Sequence, residues 1–249
     1  MAIRHLRDVV REIGSLYLYA ACSVAGAIYQ PEHQVMGSGR AVVLVPGFLG
    51  RGLAFFRLRQ WLVEQGYPVY IADLGFGVGC IREKSRELEC FVDTHELEDF
   101  YIVGHSMGGL ISLGMEEEAR RRVRHFITLG TAYHGAVLSH LVPVFPAARQ
   151  LNPRSPLVRE LIRRARQQEN LTTVVARWDE IAFPRQSCLL DGSCETITGV
   201  AGHAQLILNS KSLRQVTGLL SELEANSLGM TGPTEVDHTG SHVELPLSS

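Results

Sequence analysis

The chain has 249 residues, of which 45% are hydrophobic, and its formal net charge at pH 7 is −2. A chain of this length can bury a sizeable core and commonly forms one domain. Proteins that bind nucleic acid usually carry a strong basic excess, so the small negative charge argues against a nucleic acid partner.

The N-terminal segment starts basic and then becomes apolar. Three arginines precede residues 13–29, which contain no charged residue. Signal and anchor segments share this pattern, but the stretch is shorter than the roughly 20 apolar residues that span a bilayer. Asp8 and Glu12 also interrupt the basic start. We expect residues 1–36 to form a helix that packs on the domain or lies peripherally on a membrane, rather than a cleaved signal. A cytoplasmic or membrane-associated location is favoured, and secretion stays open.

Short apolar runs alternate with helical patterns along most of the chain. Strands are predicted at 41–45, 69–72, 101–103, 123–130, 172–177 and 196–200. Helices are predicted between them, and a last helix is predicted at 206–224. This alternation is typical of a parallel sheet with right-handed crossovers. We therefore predict an α/β domain over residues 37–225, with a mostly parallel twisted sheet and helices on both faces.

Two segments depart from this alternation. Residues 132–170 contain four prolines that separate short segments, which indicates a small insertion, here called the cap, over the upper edge of the sheet. Residues 226–249 mix small, polar and acidic residues without periodicity, which predicts a disordered tail.

The five cysteines show no metal-binding spacing, so no metal site is expected. Cys188 and Cys194 bracket a turn-like segment that a disulfide could close. Cys80 and Cys90 could form a second disulfide if the protein is exported. The odd number of cysteines favours free thiols.

The sequence Gly-His-Ser-Met-Gly-Gly at 104–109 follows the strand predicted at 101–103 and precedes an apolar helical segment. Strand, sharp turn and helix form the setting of a nucleophile elbow, in which glycines two residues before and after the serine avoid a clash in the turn. The serine hydroxyl then stands clear of the turn. Ser106 is therefore the predicted nucleophile.

A serine nucleophile needs a base, and the base needs an orienting acid, in the chain order Ser, Asp or Glu, His. Asp179 directly follows the predicted strand 172–177, whereas Asp191 lies in a turn and is the alternative acid. His203 follows the last predicted strand, while His238 and His242 lie in the predicted tail. A mobile tail cannot hold catalytic geometry, so we predict Asp179 and His203.

Two backbone N–H groups are expected to hold an oxyanion. One belongs to Met107, the residue after the nucleophile at the start of a helix. The other is assigned to Phe48, in the loop after the first strand, where Gly47 and Gly50 allow the backbone a close approach. His105, within the elbow, is interpreted as a packing or hydrogen-bonding neighbour rather than the base.

These motifs resemble those of the serine esterases and lipases of the α/β-hydrolase superfamily, particularly small bacterial lipases with minimal caps. The resemblance covers about residues 41–220, and the elbow matches fully. Residues 129–135 match Leu-Gly-Thr-Pro-x-His-Gly of that family with Ala132 in place of proline, and His134 is interpreted as structural. Pro46 stands where the family usually has histidine before the oxyanion glycine. The predicted oxyanion donor is a backbone N–H group and does not depend on that histidine side chain. How the loop is held in place without the histidine, and the precise subfamily, are left open.

The resemblance implies an α/β-hydrolase fold and hydrolysis of a small-molecule or lipid ester without a metal or cofactor. Apolar residues in the loop after the first strand and in the cap predict an acyl pocket that includes Leu49, Phe55, Val137 and Leu138. Acyltransferase, thioesterase or amidase activity would use the same triad. The alternative from a different functional class is a non-catalytic binding protein, because the same fold can serve unrelated functions.

Overall fold

The computed structural model describes residues 2–29, 33–190 and 194–227. Six strands form one sheet in which every neighbouring pair is parallel, in the order β2-β1-β3-β4-β5-β6. Their bounds are β1 Val42–Val45, β2 Val69–Ile71, β3 Phe100–His105, β4 Val123–Leu129, β5 Leu171–Trp178 and β6 Cys194–Ala201.

Helices connect the strands and cover both faces of the sheet. They are α1 Ala2–Ala25, α2 Phe56–Glu64, α3 Ile81–Thr94, α4 Met107–Leu113, α5 Glu117–Arg121, α6 Pro146–Gln150, α7 Pro156–Arg166, α8 Gln205–Leu208 and α9 Ser210–Ser227. Short 3₁₀ turns lie at Gly52–Phe55, Val137–Leu141 and Arg185–Cys188.

The strands are buried on both faces because each face carries its own helical layer. Residues of β1 alternate between two apolar cores: Val43 and Val45 join the side chains of α3, α4 and α7, whereas Val42 and Leu44 join those of α2 and α9. Strands that are covered on both sides have continuous apolar sequences, and for this reason they can be predicted from the sequence. The predicted parallel α/β architecture is confirmed.

The predicted last helix differs in one respect from the structure. Asn209 has extended backbone and separates α8 from α9. Its side-chain oxygen accepts a hydrogen bond from the Lys211 N–H at 2.9 Å. An asparagine in this position competes with the helical backbone and starts a new helix.

The N-terminal helix α1 packs on the domain, on the face that α2 and α9 also cover. Leu16 and Tyr19 pack against that core, and Glu12, Ser15 and Ser23 are buried. No helix among the described residues is both long and apolar enough to cross a bilayer.

Two further predictions concern the C-terminal tail and the cysteines. The predicted tail lies outside them beyond residue 227. Cys80, Cys90 and Cys188 are free thiols, so neither of the two conceivable disulfides is formed.

The topology brings several loops to one edge. The chain runs from β1 outward to β2 and then crosses back to place β3 on the other side of β1. Ligands of open parallel sheets bind at the carboxyl ends of the strands where the strand order reverses in this way. The loop after β1 and the turn after β3 are therefore neighbours at the expected position of a site.

Candidate active site

Ser106 joins β3 to α4 and has a backbone conformation that side chains rarely adopt, with φ 56° and ψ −125°. Two hydrogen bonds fix it. The Ser106 N–H donates to the Leu129 carbonyl at 2.8 Å, and the Thr131 hydroxyl donates to the Ser106 carbonyl at 2.8 Å. Such strain persists only where the surroundings enforce it. Ser106 is partly exposed although both neighbours are buried, so the turn presents this residue at the sheet edge.

The glycines of the elbow are required by close backbone contacts. A Cβ atom on Gly104 would lie 2.7 Å from the Gly109 nitrogen, and one on Gly108 would lie 2.1 Å from the Val45 carbonyl oxygen. Backbone atoms cannot swing aside as a flexible side chain can. The strand, turn and helix predicted around Ser106 are all present.

The loop after β1 lies directly against the elbow. A Cβ atom on Gly47 would lie 2.7 Å from the Ser106 Cβ and 3.0 Å from the Met107 nitrogen. Met107 is the first residue of α4, where N–H groups have no partner within the helix. In the described part of the chain, the Phe48 N–H donates to no acceptor. The N–H groups of Phe48 and Met107 are thus two free backbone donors on the segments that meet at Ser106. Pro46 lies in the same loop as Phe48.

Asp179 and His203 form a buried hydrogen-bonded pair. Asp179 follows β5 and His203 follows β6, and the Asp179 Oδ2 lies 2.8 Å from the His203 Nδ1. The other carboxylate oxygen of Asp179 accepts from the N–H groups of Ile181 and Ala182 at 3.0 and 2.7 Å. This leaves the His203 Nε2 as the ring nitrogen that does not contact Asp179.

The surroundings favour the charged forms of both partners. Burial disfavours the Asp179 carboxylate, but the neighbouring His203 and the backbone donors overcome it and hold the pKa below its ordinary value. Burial also disfavours the charged form of His203, yet the Asp179 carboxylate raises its pKa above its ordinary value. An acid that stabilises the imidazolium form is what a general base requires.

Glycine at position 130 lets this pair approach the elbow. A Cβ atom there would lie 3.2 Å from both the Asp179 Oδ2 and the His203 Nδ1, and Gly130 has φ 60°. The rings of His203 and His105 lie 4.7 Å apart. His203 is thereby packed against the residue that precedes Ser106. Among the described residues the Ser106 hydroxyl makes no hydrogen bond, and catalytic hydrogen bonds commonly tighten only when substrate binds.

His105 serves as a packing and hydrogen-bonding neighbour. Burial, with a smaller contribution from His203, lowers its pKa to about 3, so its ring is neutral. Its Nε2 lies 3.2 Å from the His203 carbonyl oxygen and must be the donor in that contact. His134 is also engaged with backbone, its Nε2 lying 3.1 Å from the Leu189 carbonyl oxygen.

The predicted acyl pocket needs one correction. Phe55 is only 1% exposed and packs edge-on against His105 in the core, so it offers no surface to a substrate. Leu49 and Val137 are about half exposed, at 47% and 50%. The side chain of Leu138 lies outside the described residues.

The alternatives for acid and base, Asp191, His238 and His242, also lie outside the described residues. No group of three or more His, Cys, Asp or Glu side chains in residues 2–29, 33–190 and 194–227 is arranged to hold a metal ion.

Two carboxyl groups beside His203 were not predicted from the sequence. Glu180 accepts from the His203 N–H at 3.3 Å, and Glu12 of α1 accepts from the Ala204 N–H at 2.8 Å. A signal for Glu12 existed in the sequence, because Glu12, Ser15 and Tyr19 recur at helical spacing and mark one face of α1. Nothing in the sequence indicated which part of the domain that face contacts.

The fold, with a strained turn between β3 and α4 at Ser106, is that of an α/β hydrolase. Residues 40–180, more than half of the chain, match the alpha/beta hydrolase fold family, and the chain belongs to that family. No curated protein sequence matches the chain.

Solved structures of lipases and carboxylesterases share the fold. The mature form of Bacillus licheniformis lipase BlEst2 has a TM-score of 0.61 at 16% identity, over 77% of this chain and 94% of that chain. Aspergillus fumigatus lipase B has a TM-score of 0.62 at 18% identity, over 74% of this chain and 52% of that chain. A structure reported with carboxylesterases of Nitrososphaera gargenis has a TM-score of 0.61 at 13% identity, over 78% and 94%.

Proposed function

We propose that the chain is a serine hydrolase that cleaves carboxylic esters through an acyl-enzyme on Ser106. The observation that carries this proposal is the hydrogen-bonded Asp179–His203 pair, buried and packed against the strained turn that presents Ser106. A structural ion pair would not require a nucleophile in a strained turn beside it. Pairs with shifted pKa values next to such a residue are typical of catalytic sites.

In the acylation step, the Ser106 Oγ attacks the ester carbonyl carbon while the His203 Nε2 accepts the hydroxyl proton. Asp179 holds the imidazole tautomer and stabilises the imidazolium that forms. The Phe48 and Met107 N–H groups receive the oxyanion of the tetrahedral intermediate. His203 then returns the proton to the leaving alkoxide, which departs as an alcohol.

In the deacylation step, His203 takes a proton from water, and the resulting hydroxide attacks the acyl-enzyme. The intermediate collapses, Ser106 recovers its proton from His203, and the carboxylic acid is released. If an alcohol, thiol or amine took the place of water, the same residues would catalyse acyl transfer. If a thioester or an amide took the place of the ester, they would catalyse its hydrolysis.

The acyl group we propose is apolar. The ring of Phe48 in the loop after β1 meets the ring of Phe145 in the cap edge-on, with centroids 5.8 Å apart. The exposed apolar residues Leu49 and Val137 lie in the same two segments. A cap that contacts the oxyanion loop through apolar side chains suits an acyl chain better than a polar substrate.

The test is hydrolysis of a series of p-nitrophenyl acyl esters by the full chain, with Ser106→Ala as the decisive variant. The expected result is activity that Ser106→Ala abolishes, together with covalent labelling of wild-type Ser106 by a fluorophosphonate probe. Activity that survives in Ser106→Ala, or a folded wild type that neither hydrolyses nor labels, would overturn the proposal. Partition of the acyl group between water and an added alcohol separates a hydrolase from an acyltransferase.

We also propose that α1 places the enzyme on a lipid surface, where apolar esters are found. The face of α1 turned away from the domain is apolar, with exposures of 62% at Val10, 50% at Ile13, 75% at Tyr17 and 64% at Val24. Arg7 and Arg11 near its start are exposed. An apolar helix face with basic residues suits an interface that contains anionic lipid.

Sedimentation with phosphatidylcholine vesicles, with and without phosphatidylglycerol, tests this second proposal. Serine substitutions at Val10 and Tyr17 are expected to reduce binding, while the control Met36→Ser, at an exposed apolar residue outside α1, is expected to leave it unchanged. Equal sedimentation of the wild type and the variants at Val10 and Tyr17 would refute it.

A further inference from the structure

The inner face of α1 contacts the loops of the proposed active site. The Tyr19 ring lies 5.8 Å from the His105 ring, and its hydroxyl is packed against Gly50 of the loop after β1. The Ser15 hydroxyl accepts a hydrogen bond from the Gln205 side chain. Helix α1 therefore meets both the loop after β1 and the segment that follows His203.

Glu12 makes the deepest of these contacts. It is 2% exposed, and its Oε1 accepts from the Ala204 N–H at 2.8 Å. A Cβ atom on Gly202 would lie 2.0 Å from the Glu12 Oε2, so the carboxyl group fills the space that a side chain at position 202 would occupy. Glu12 thus touches the residues on either side of His203.

The second oxygen of Glu12 faces another carboxyl group. The Glu12 Oε2 is buried without a donor in the described part of the chain, and Glu180 is the neighbouring carboxyl group that, after burial, raises the pKa of Glu12. Glu180 in turn accepts from the His203 N–H at 3.3 Å. Two carboxylates in contact repel each other, whereas one proton between them forms a hydrogen bond that satisfies both. Burial, together with Glu180, raises the pKa of Glu12 to about 9, so at neutral pH Glu12 supplies that proton.

We infer that Glu12 is a positioning residue for His203, because its carboxyl accepts the Ala204 N–H and occupies the space beside Gly202, the two residues that flank His203. The inference rests on the proposed function, in which His203 is the general base. Glu12 does not touch the Ser106 hydroxyl or the reacting atoms. It acts through the backbone on both sides of the imidazole and makes the N-terminal helix part of the support of the catalytic loop.

Two carboxylates near Glu12 have partners of their own. Asp8, one turn earlier on α1, forms an ion pair with Arg177 of β5 at 2.5 Å. Across the loop, Asp179 is bound to His203. Burial raises the pKa of Tyr19 and lowers that of His105, so both are neutral around pH 7. Glu180 is therefore the partner that responds when Glu12 loses its proton.

The experiment compares Glu12→Gln, Glu12→Ala and the control Glu118→Ala, at an exposed glutamate of α5, with the wild type on p-nitrophenyl butyrate. Glutamine mimics the protonated carboxyl, since it can accept from Ala204 and donate to Glu180, whereas alanine leaves both groups unpaired. We expect Glu12→Ala to lower kcat by roughly 10²-fold with little change in KM, as for a base displaced by about 1 Å. Glu12→Gln and Glu118→Ala should stay near wild type at pH 7.5.

The pH profile separates positioning from mere stability. Wild-type kcat, after subtraction of the non-enzymatic rate, is expected to fall as the pH passes about 9, because the ionised Glu12 and Glu180 repel each other. Glu12→Gln should lack that alkaline fall. The rate of fluorophosphonate labelling of Ser106 should follow the same two profiles.

Each outcome decides a different point. A folded Glu12→Ala with wild-type kcat, or an alkaline fall that persists unchanged in Glu12→Gln, overturns the role of Glu12 while the hydrolase proposal stands. If Glu12→Ala fails to fold, the glutamine profile still decides. A folded wild type without hydrolysis or labelling contradicts the proposed function itself and removes the basis of the inference.

Discussion

The imidazole rings of His105 and His203 lie 4.7 Å apart, and their surroundings move their pKa values in opposite directions. Burial without a carboxylate partner keeps His105 neutral, whereas Asp179 stabilises the proton on His203. Two like groups whose surroundings separate their pKa values in this way have different roles. Of this pair, His203 is the one suited to carry a proton during a reaction.

The acid limb of the pH profile should report His203. A general base acts in its neutral form, and Asp179 raises the pKa of His203 above the ordinary 6.5. We therefore expect kcat/KM to rise with pH through an apparent pKa above 6.5, as measured by initial rates between pH 5 and 9. Asp179→Asn should lower kcat by about 10⁴-fold, as expected when the imidazole loses its orienting acid. A limb below 6.5 in the wild type would contradict this assignment.

Folding stability should also depend on pH through Glu12. The folded state keeps the Glu12 proton to about pH 9, whereas an unfolded glutamate loses it near the ordinary value of 4.5. The folded state binds more protons in this interval, so the free energy of unfolding contributed by this group falls as the pH rises. Thermal unfolding from pH 5 to 9 should show a smaller decline of Tm in Glu12→Gln than in the wild type. Parallel Tm curves would show that Glu12 is ionised in the fold.

Gly47→Ala should impair catalysis through the oxyanion loop. The added Cβ would lie 2.7 Å from the Ser106 Cβ and 2.7 Å from the His105 carbonyl oxygen, which forces the loop away from the elbow. Loss of one oxyanion donor corresponds to a fall in kcat on the order of 10²-fold or more.

Gly14→Ala is the matched control for Gly47→Ala. Gly14 lies within α1 with nothing near its Cβ position, so the added methyl group meets no neighbour. The change should leave kcat unaltered and stabilise the fold by about 0.5–1 kcal/mol, measured by denaturant unfolding. Equal losses of kcat in both variants would argue against a special role for the loop.

Phe145→Ala should alter the choice of acyl chain. Removal of its ring takes away the edge contact to Phe48 and opens the apolar space between cap and loop. We expect KM for octanoate esters to rise more than KM for acetate esters, measured on a p-nitrophenyl series. Val144→Ala, at a neighbouring residue that is 73% exposed, is the control and should leave the profile unchanged. An unchanged profile in Phe145→Ala would place the acyl chain elsewhere.

Much of the fold was predictable because strands buried on both faces, such as β1 and β3, leave continuous apolar runs in the sequence. The positions of Asp179 and His203 could be predicted because chain order and strand ends limit which residues reach the carboxyl edge of the sheet. Whether Phe55 packs in the core or lines the acyl pocket could not be predicted in this way, since the sequence pattern of an apolar residue in a turn is the same in both cases.

The partner of Glu12 could not be predicted from the sequence for a different reason. Its hydrogen-bond partner, the Ala204 N–H, is 192 positions away in the chain. A single sequence contains no signal for a contact between a side chain and a distant backbone group. The pattern on α1 indicated a polar face, but only the packing of α1 identified its partner.

Gly202 has φ 111° and stands at the junction between α1 and the catalytic loop. Because the space for a Cβ is taken by the Glu12 carboxyl, one methyl group at this position would push α1 away from the segment that carries His203. The N-terminal helix and the loop that follows β6 are thus packed so closely that a single added methyl group has no room between them.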